Sequence, residues 1–314
     1  MEISKLKTKS CRVRLAAAGA IFLVAVFPGF VSAAELFLPN TAPDSGAARI
    51  MPATPLPDLG SRAYLVGDLD TGQIISEKNS RARLPIASLT KLMTAAVVTE
   101  NVSLRQTITI NKSMLLPFGW TSYLAEGQRL SLGQLLYPML VESSNDAAQA
   151  VSCFLGNKQT IGLMNEKARS LAMYSTNYFD AHGLSPKDVS TARDLFELAR
   201  YVAKNHPGLL EVTRGKSVGN VDTSRYSAME NKNLVYGLAD FAGGKTGYIP
   251  ESNYNGLFIF KISPAGGPER SIAIIVLGAP HLLAGSHNLE QETVLALNWA
   301  KKACAAPGQF ALNP

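Results

Sequence analysis

Pro85-Ile86-Ala87-Ser88-Leu89-Thr90-Lys91-Leu92-Met93-Thr94-Ala95 is the stretch on which the reading of this chain turns. After Pro85, residues Leu89, Leu92, Met93, Ala96 and Val97 recur at helical spacing, which predicts a helix over Ser88–Glu100 with one buried face. Ser88 and Lys91, three residues apart, share a helix face about one turn apart. A serine at a helix start lies where unpaired backbone N–H groups favour a developing anion. Its hydroxyl becomes a nucleophile only when a base removes the proton. Lys91 could be that base only as the neutral amine, and at the reference pKa only about one lysine in 2,500 is neutral at pH 7. Burial and a nearby cation both push that pKa down. The plain alternative is a serine that caps a helix and a lysine that faces water.

Two more polar motifs follow in order. Ser143-Ser144-Asn145 lies between the apolar helical runs Leu130–Leu140 and Ala147–Leu155, where side chains can leave the core and enter a cleft. An ordinary interhelical turn, with Asp146 capping the second helix, is the competing reading. Lys245-Thr246-Gly247 follows Gly243-Gly244 on an expected strand. A lysine and a hydroxyl there suit a carboxylate, and Gly247 admits a ligand backbone, the plain alternative being an exposed edge-strand lysine. Lys245 could also supply the cation that depresses Lys91. Each motif alone is weak: an S-x-x-K also occurs at Ser4–Lys7, and S-x-N recurs at Ser175–Asn177 and Ser286–Asn288. Order, spacing and placement carry the signal.

Around these motifs, Arg62–Leu69 and Gln73–Ser76 flank Asp70-Thr71-Gly72 as a hairpin. Ile161–Leu171 and Thr191–Asn205 extend a helical middle. Phe241–Ile249, Tyr254–Ile262 and Ile272–Leu277 read as strands, and Leu289–Lys302 as a closing helix. Strands at both ends with helices between them predict one antiparallel sheet assembled from the two ends of the chain, an α/β (α+β) architecture.

Together the three motifs resemble the penicillin-binding protein and serine β-lactamase superfamily, and within it the low-molecular-weight D-alanyl-D-alanine carboxypeptidases. The likeness also uses Asp146-Ala147-Ala148, His182-Gly183-Leu184-Ser185, Ser190-Thr191-Ala192-Arg193-Asp194-Leu195 and Tyr248, and it runs from about Arg62 to Lys302. It implies a β-lactamase/DD-peptidase-like fold, a sheet of about five strands flanked by helices with an inserted helical subdomain. It also implies roles. Ser88 would attack the carbonyl between two D-alanines with Lys91 as general base. Ser143 would relay a proton to the departing D-alanine, and Asn145 would hold the substrate amide. Lys245 and Thr246 would bind the terminal carboxylate, beside Gly247. The N–H groups of Ser88 and Tyr248 would form an oxyanion hole. Arg270 matches a basic residue that the family places near that carboxylate, whereas His182 and Arg193 read as structural. The chain departs from the family at Ser144, where Gly is usual, at Ala242-Gly243-Gly244, where Asp-Gly is common, and at Ile249 and Asn253.

The implied substrates are peptidoglycan stem peptides, with β-lactams as covalent inhibitors and no cofactor. A DD-endopeptidase uses the same chemistry and stays open. A β-lactamase would need a glutamate-centred deacylation site, and Glu166, Glu197 and Glu211 lack the context. A penicillin sensor would have no need of Lys91. His182, His206, His281 and His287 show no metal-binding spacing.

Composition sets the remaining bounds. The chain has 314 residues, 46% hydrophobic and 17% charged, with 3 Cys, which excludes wholesale disorder and a disulfide-built scaffold. Residues 1–33 carry Lys5, Lys7, Lys9, Arg12 and Arg14 against Glu2, then the apolar run Leu15–Val26 and Val31-Ser32-Ala33, which reads as a secretory signal cut after Ala33. Without it the net charge of +6 falls to +2, so basicity gives no argument for nucleic acid. An exported protein of the periplasm or outer face of the membrane is expected, with no stable membrane anchor after cleavage. Residues 34–58 read as a tether, 59–304 as the catalytic domain and 305–314 as a tail, with no C-terminal β-rich domain. Cys153 reads as a small core residue, and its pairing with Cys304 is left open.

Overall fold

The computed structural model describes residues 55–115, 123–217, 219–263, 267–281 and 288–305. The expected signal segment, most of the tether and nearly all of the tail lie outside the described residues. Packing begins at Leu56, which is buried with Leu59 against the sheet, while Asp58 pairs with Lys78.

Strands β1 (Ala63–Asp68) and β2 (Ile74–Lys78) form the expected hairpin. Asp68 shapes its turn by accepting the Asp70 and Thr71 N–H groups. The chain passes through β3 (Leu84–Pro85) and a 3-10 turn over Ala87–Leu89 into α1 (Thr90–Asn101). A ribbon of β4 (Thr107–Thr109) and β5 (Arg129–Ser131) precedes α2 (Leu132–Val141), α3 (Asn145–Leu155) and α4 (Asn157–Ser170). Then β6 (Val189–Ser190) pairs back with β3, followed by α5 (Ala192–Asn205) and α6 (Pro207–Thr213). Strands β7 (Phe241–Ile249), β8 (Asn253–Ile262) and β9 (Arg270–Ala279) and helix α7 (Leu289–Ala305) complete the order.

The five main strands form one antiparallel sheet in the order β2-β1-β9-β8-β7, so the first hairpin closes on the last strand. Its interior strands are buried on both faces, which is why Ile272–Leu277 is an unbroken apolar run. Alternation sends Leu65, Leu257, Ile259 and Ile275 to the helical body with Leu92 of α1 and Leu195 of α5. The other parity, Val66, Phe258, Phe260 and Ile274, meets α7 through Leu297, Trp299 and Ala300. No helix among the described residues is long and apolar enough to cross a membrane.

Two expectations change. Ser88 belongs to the 3-10 turn and not to α1, which opens at Thr90 without a side-chain cap, so the Ser88 hydroxyl is not spent on capping. Helix α6 has no counterpart in the sequence reading: Pro207 is its first residue, where the missing N–H has no helical partner to lose. Cys153 and Cys304 are both free, Cys304 buried and Cys153 partly so.

Candidate active site

Ser88 is set by its neighbours' backbone. Ala87 takes a left-handed φ of 50°, and the Ile86 N–H is fixed by the Asp188 carbonyl at 3.0 Å. Gly183, itself at φ 80°, packs its backbone directly on the Ala87 carbonyl, and any Cβ there would overlap that carbonyl. On the other side a Cβ at Gly247 would lie 2.7 Å from the Ser88 nitrogen. Two glycines thus let two chain segments close on the nucleophile's main chain. Gly183→Ala should lower the melting temperature by several degrees and slow acylation of Ser88, since strain at such a φ costs about 1–3 kcal/mol before the clash is counted. Differential scanning calorimetry checks it; an unchanged melting temperature would contradict this packing.

Lys91 is fully buried on α1, and its amine meets three oxygens: Ser88 Oγ at 2.7 Å, Asn145 Oδ1 at 2.8 Å and the His182 carbonyl at 2.6 Å. The last two only accept, so they take two N–H bonds of a neutral amine and leave its lone pair for the Ser88 hydroxyl. Burial pushes the Lys91 pKa down to about 7, against the opposing charge of Asp180 and, where it is ionised, of Asp188. Lys245 is also fully buried, donates to the Thr246 carbonyl at 2.8 Å, and is pushed well down by burial and by Lys91. Two ammonium groups in this cleft oppose each other, so charge on one favours neutrality of the other.

Strand β7 is the free edge of the sheet beside Ser88. The Gly244 N–H goes to Thr213 Oγ1 at 2.9 Å and the Thr246 N–H to Asn233 Oδ1 at 3.3 Å, so these groups point away from β8. Strand alternation directs the Tyr248 N–H the same way, toward the backbone of Ser88. Buried Asn233 holds this edge in place, binding the Leu140 and Thr213 carbonyls through its amide. The sequence reading missed Asn233 and the His182 carbonyl. His182-Gly183 did stand out in the sequence, yet a backbone acceptor leaves no side-chain signature.

The structure therefore gathers Ser88, Lys91, Asn145, Lys245, Gly247 and Tyr248 at one place. Ser143 sits in the turn just before Asn145 at φ 68°. Thr246 Oγ1 donates to the Lys232 carbonyl at 2.8 Å, which leaves its lone pairs for a donor. Ser144 is the N-cap of α3, its hydroxyl accepting the Ala147 N–H at 3.1 Å, a task that only the competing reading of this turn assigned, to Asp146. The departure from Gly at this position is thus a helix cap turned into the fold. Asn253 likewise takes a left-handed φ of 57° at the β7–β8 turn, a conformation asparagine tolerates.

Arg270 is corrected. It opens β9 and binds buried Asp68 at 2.8 Å, neutralising the carboxylate that shapes the β1–β2 turn. Lys245 is level with Leu257 and Ile275, five residues further along β9, or roughly 16 Å at strand rise. Arg270 is a structural ion-pair partner and does not line the site.

A buried lysine amine on a serine hydroxyl, an amide at a helix start and a second lysine on an edge strand define a serine acyl-transfer centre of the penicillin-binding type. Residues 50–280 match the family model described as D-alanyl-D-alanine carboxypeptidase, and the chain belongs to that family. A D-alanyl-D-alanine endopeptidase of Haemophilus influenzae is 37% identical over 207 residues, 64% of this chain and 70% of the relative. D-alanyl-D-alanine carboxypeptidase DacD of Salmonella typhimurium is 27% identical over 287 residues, 86% of this chain and 70% of the relative. Among solved structures, a Listeria monocytogenes penicillin-binding protein in its cefotaxime-bound form superposes with a TM-score of 0.66 at 26% identity, covering 80% of this chain and 99% of that one. The D-alanyl-D-alanine carboxypeptidase of Mycobacterium tuberculosis shares the fold, with a TM-score of 0.70 at 23% identity over 83% and 98% of the two chains.

Proposed function

We propose that this protein is an exported serine-type D-alanyl-D-alanine carboxypeptidase that removes the terminal D-alanine from peptidoglycan stem peptides outside the cytoplasmic membrane and is acylated by β-lactams. The observation that carries the reading is the Lys91 amine 2.7 Å from Ser88 Oγ, its other bonds taken by two carbonyl-type oxygens. Neutral Lys91 takes the Ser88 proton as Oγ bonds to the carbonyl carbon between the two D-alanines. The negative oxygen is met by the Ser88 and Tyr248 N–H groups. Collapse breaks the peptide bond, and the departing D-alanine nitrogen receives a proton through Ser143. Water then releases the acyl group from Ser88. Lys245 holds the substrate carboxylate, joined by Thr246 once its hydroxyl turns from the Lys232 carbonyl to donate to the ligand, and Asn145 holds the substrate amide. The base is the neutral form, so acylation rises with pH through about 7.

A second reading, a DD-endopeptidase that cuts D-alanyl cross-links, is favoured by one observation: identity is 37% to the Haemophilus influenzae endopeptidase against 27% to the Salmonella typhimurium carboxypeptidase. Both readings run through the same acyl-enzyme on Ser88. Purified protein is offered a pentapeptide muropeptide and a cross-linked dimer, and product masses are compared. Loss of one alanine from the monomer, with the dimer intact, is the expected result. Cleavage of the dimer alone would select the endopeptidase, and no product from either substrate would overturn both readings.

A further inference from the structure

One peptide unit beyond the His182 carbonyl that receives Lys91 lies a pair of carboxyl groups with no part in the chemistry above. Asp180 anchors the loop that carries that carbonyl: Oδ1 accepts the His182 N–H at 2.9 Å and the Gly183 N–H, and Oδ2 accepts the Ser185 N–H at 2.8 Å. Asp188 closes the loop's other end, Oδ1 accepting the Phe179 and Asp180 N–H groups. Its Oδ2 is buried and receives no N–H or O–H donor among the described residues, and the hydrogen bond between the Asp180 and Asp188 carboxyls requires one proton between them, which makes a neutral Asp188 far less costly than an anion. Thr94 of α1 ties in the same loop by donating to the Ala181 carbonyl at 2.7 Å. One segment therefore grips both halves of the reactive pair: the main chains of Asp188 and Gly183 on Ile86 and Ala87, and the His182 carbonyl on Lys91.

We propose that Asp180 and Asp188 are positioning residues for Lys91: a pair holding one negative charge and one proton, they fix the His182 carbonyl on the amine and set how readily it gives up its proton. The proposal rests on the acyl-enzyme reading of Ser88 and Lys91. The charges agree with it. Burial and the Asp180 charge raise the Asp188 pKa, so Asp188 keeps its proton at neutrality. Burial resists ionisation of Asp180 too, but hydrogen bonds from the His182 ring and the loop N–H groups hold it below the usual carboxylate range. Both aspartates favour the Lys91 ammonium. Ionisation of Asp188 at alkaline pH adds a second negative charge and opposes loss of the lysine proton, which broadens that titration.

Other groups face this cluster. From β7, Lys245 repels a charged Lys91. The His182 ring places Nδ1 3.0 Å from Asp180 Oδ1. The buried phenol of Tyr178 is held protonated by burial and by the charges of Asp188 and Asp194, the latter on α5. Lys187 lies outside, over the Phe179 ring.

The test measures the second-order rate of benzylpenicillin capture by the full chain against pH, read by intact-protein mass, for wild type, Asp180→Asn and Asp188→Asn, with thermal melts alongside. In Asp180→Asn the rising limb moves to lower pH by roughly half a unit to one unit, because the negative charge behind the lysine is gone and burial, the larger cause, still keeps Asp188 protonated. In Asp188→Asn the foot of the limb stays in place and the rise becomes steeper, because the second ionisation is removed. Profiles that superimpose on wild type after scaling would show a merely structural loop and overturn the proposal. So would an Asp188→Asn limb shifted as far as that of Asp180→Asn. If Asp180→Asn does not fold, the steepness of the Asp188→Asn profile decides. Failure of wild type to capture penicillin on Ser88 at any pH is a separate result, and it removes the acyl-enzyme reading itself.

Discussion

In Ser88→Ala, covalent capture of benzylpenicillin disappears, and hydrolysis of a D-alanyl-D-alanine peptide falls about ten-thousand-fold or more. The size follows from what is removed: among the described residues Ser88 supplies the one hydroxyl bonded to the Lys91 amine, at 2.7 Å, held there by two glycines and an Ala87 at positive φ. The fold should survive, because the Ser88 hydroxyl caps no helix. Intact-protein mass after penicillin treatment gives a yes-or-no answer. An adduct retained on the variant would move the nucleophile elsewhere, and peptide mapping would then locate it.

Lys91→Met separates the base from the packing. Methionine fills nearly the same volume but accepts no proton, so acylation of Ser88 should fall about a thousand-fold. Its stability effect has a sign set by pH. Holding Lys91 at about 7 instead of its ordinary 10.5 costs the folded state roughly 5 kcal/mol when the amine must be charged. The folded pKa lies below the unfolded one, so between these values the unfolded chain binds more protons and wild-type stability rises with pH. The variant lacks this term. Against it stand two carbonyl-type oxygens, on Asn145 and His182, left without their donor at about 1–3 kcal/mol each. The melting temperature of Lys91→Met relative to wild type should therefore be most favourable at pH 7 and below, and decline toward pH 10. A pH-independent difference, or acylation at the wild-type rate, would count against a depressed lysine acting as the base.

What the sequence made legible follows the reach of local physics. The sheet was readable because its interior strands bury both faces: Phe241–Ile249 was expected with the bounds it has, and Ile272–Leu277 lies inside β9. The helical middle was readable from apolar spacing, though its ends shifted where capping decided them, as at Ser131, whose hydroxyl and Gln134 form a reciprocal cap for α2. Ser88, Lys91, Asn145 and Lys245 were found because their chemistry is carried by side-chain type and order. Arg270 was misassigned because a resemblance fixes sequence neighbourhood but not level along a strand, and buried Asp68 claims its guanidinium. The His182 carbonyl, Asn233 and the Asp180–Asp188 pair escaped because each works by what tertiary packing brings to it.

The three oxygens around Lys91 come from positions 3, 54 and 91 residues distant along the chain. No fragment and no half-assembled intermediate can own this centre, since none brings all three together. Penicillin uptake should then serve as a census of molecules assembled throughout, blind to those that have only secondary structure. Followed during refolding, the antibiotic becomes a stopwatch for the last long-range step.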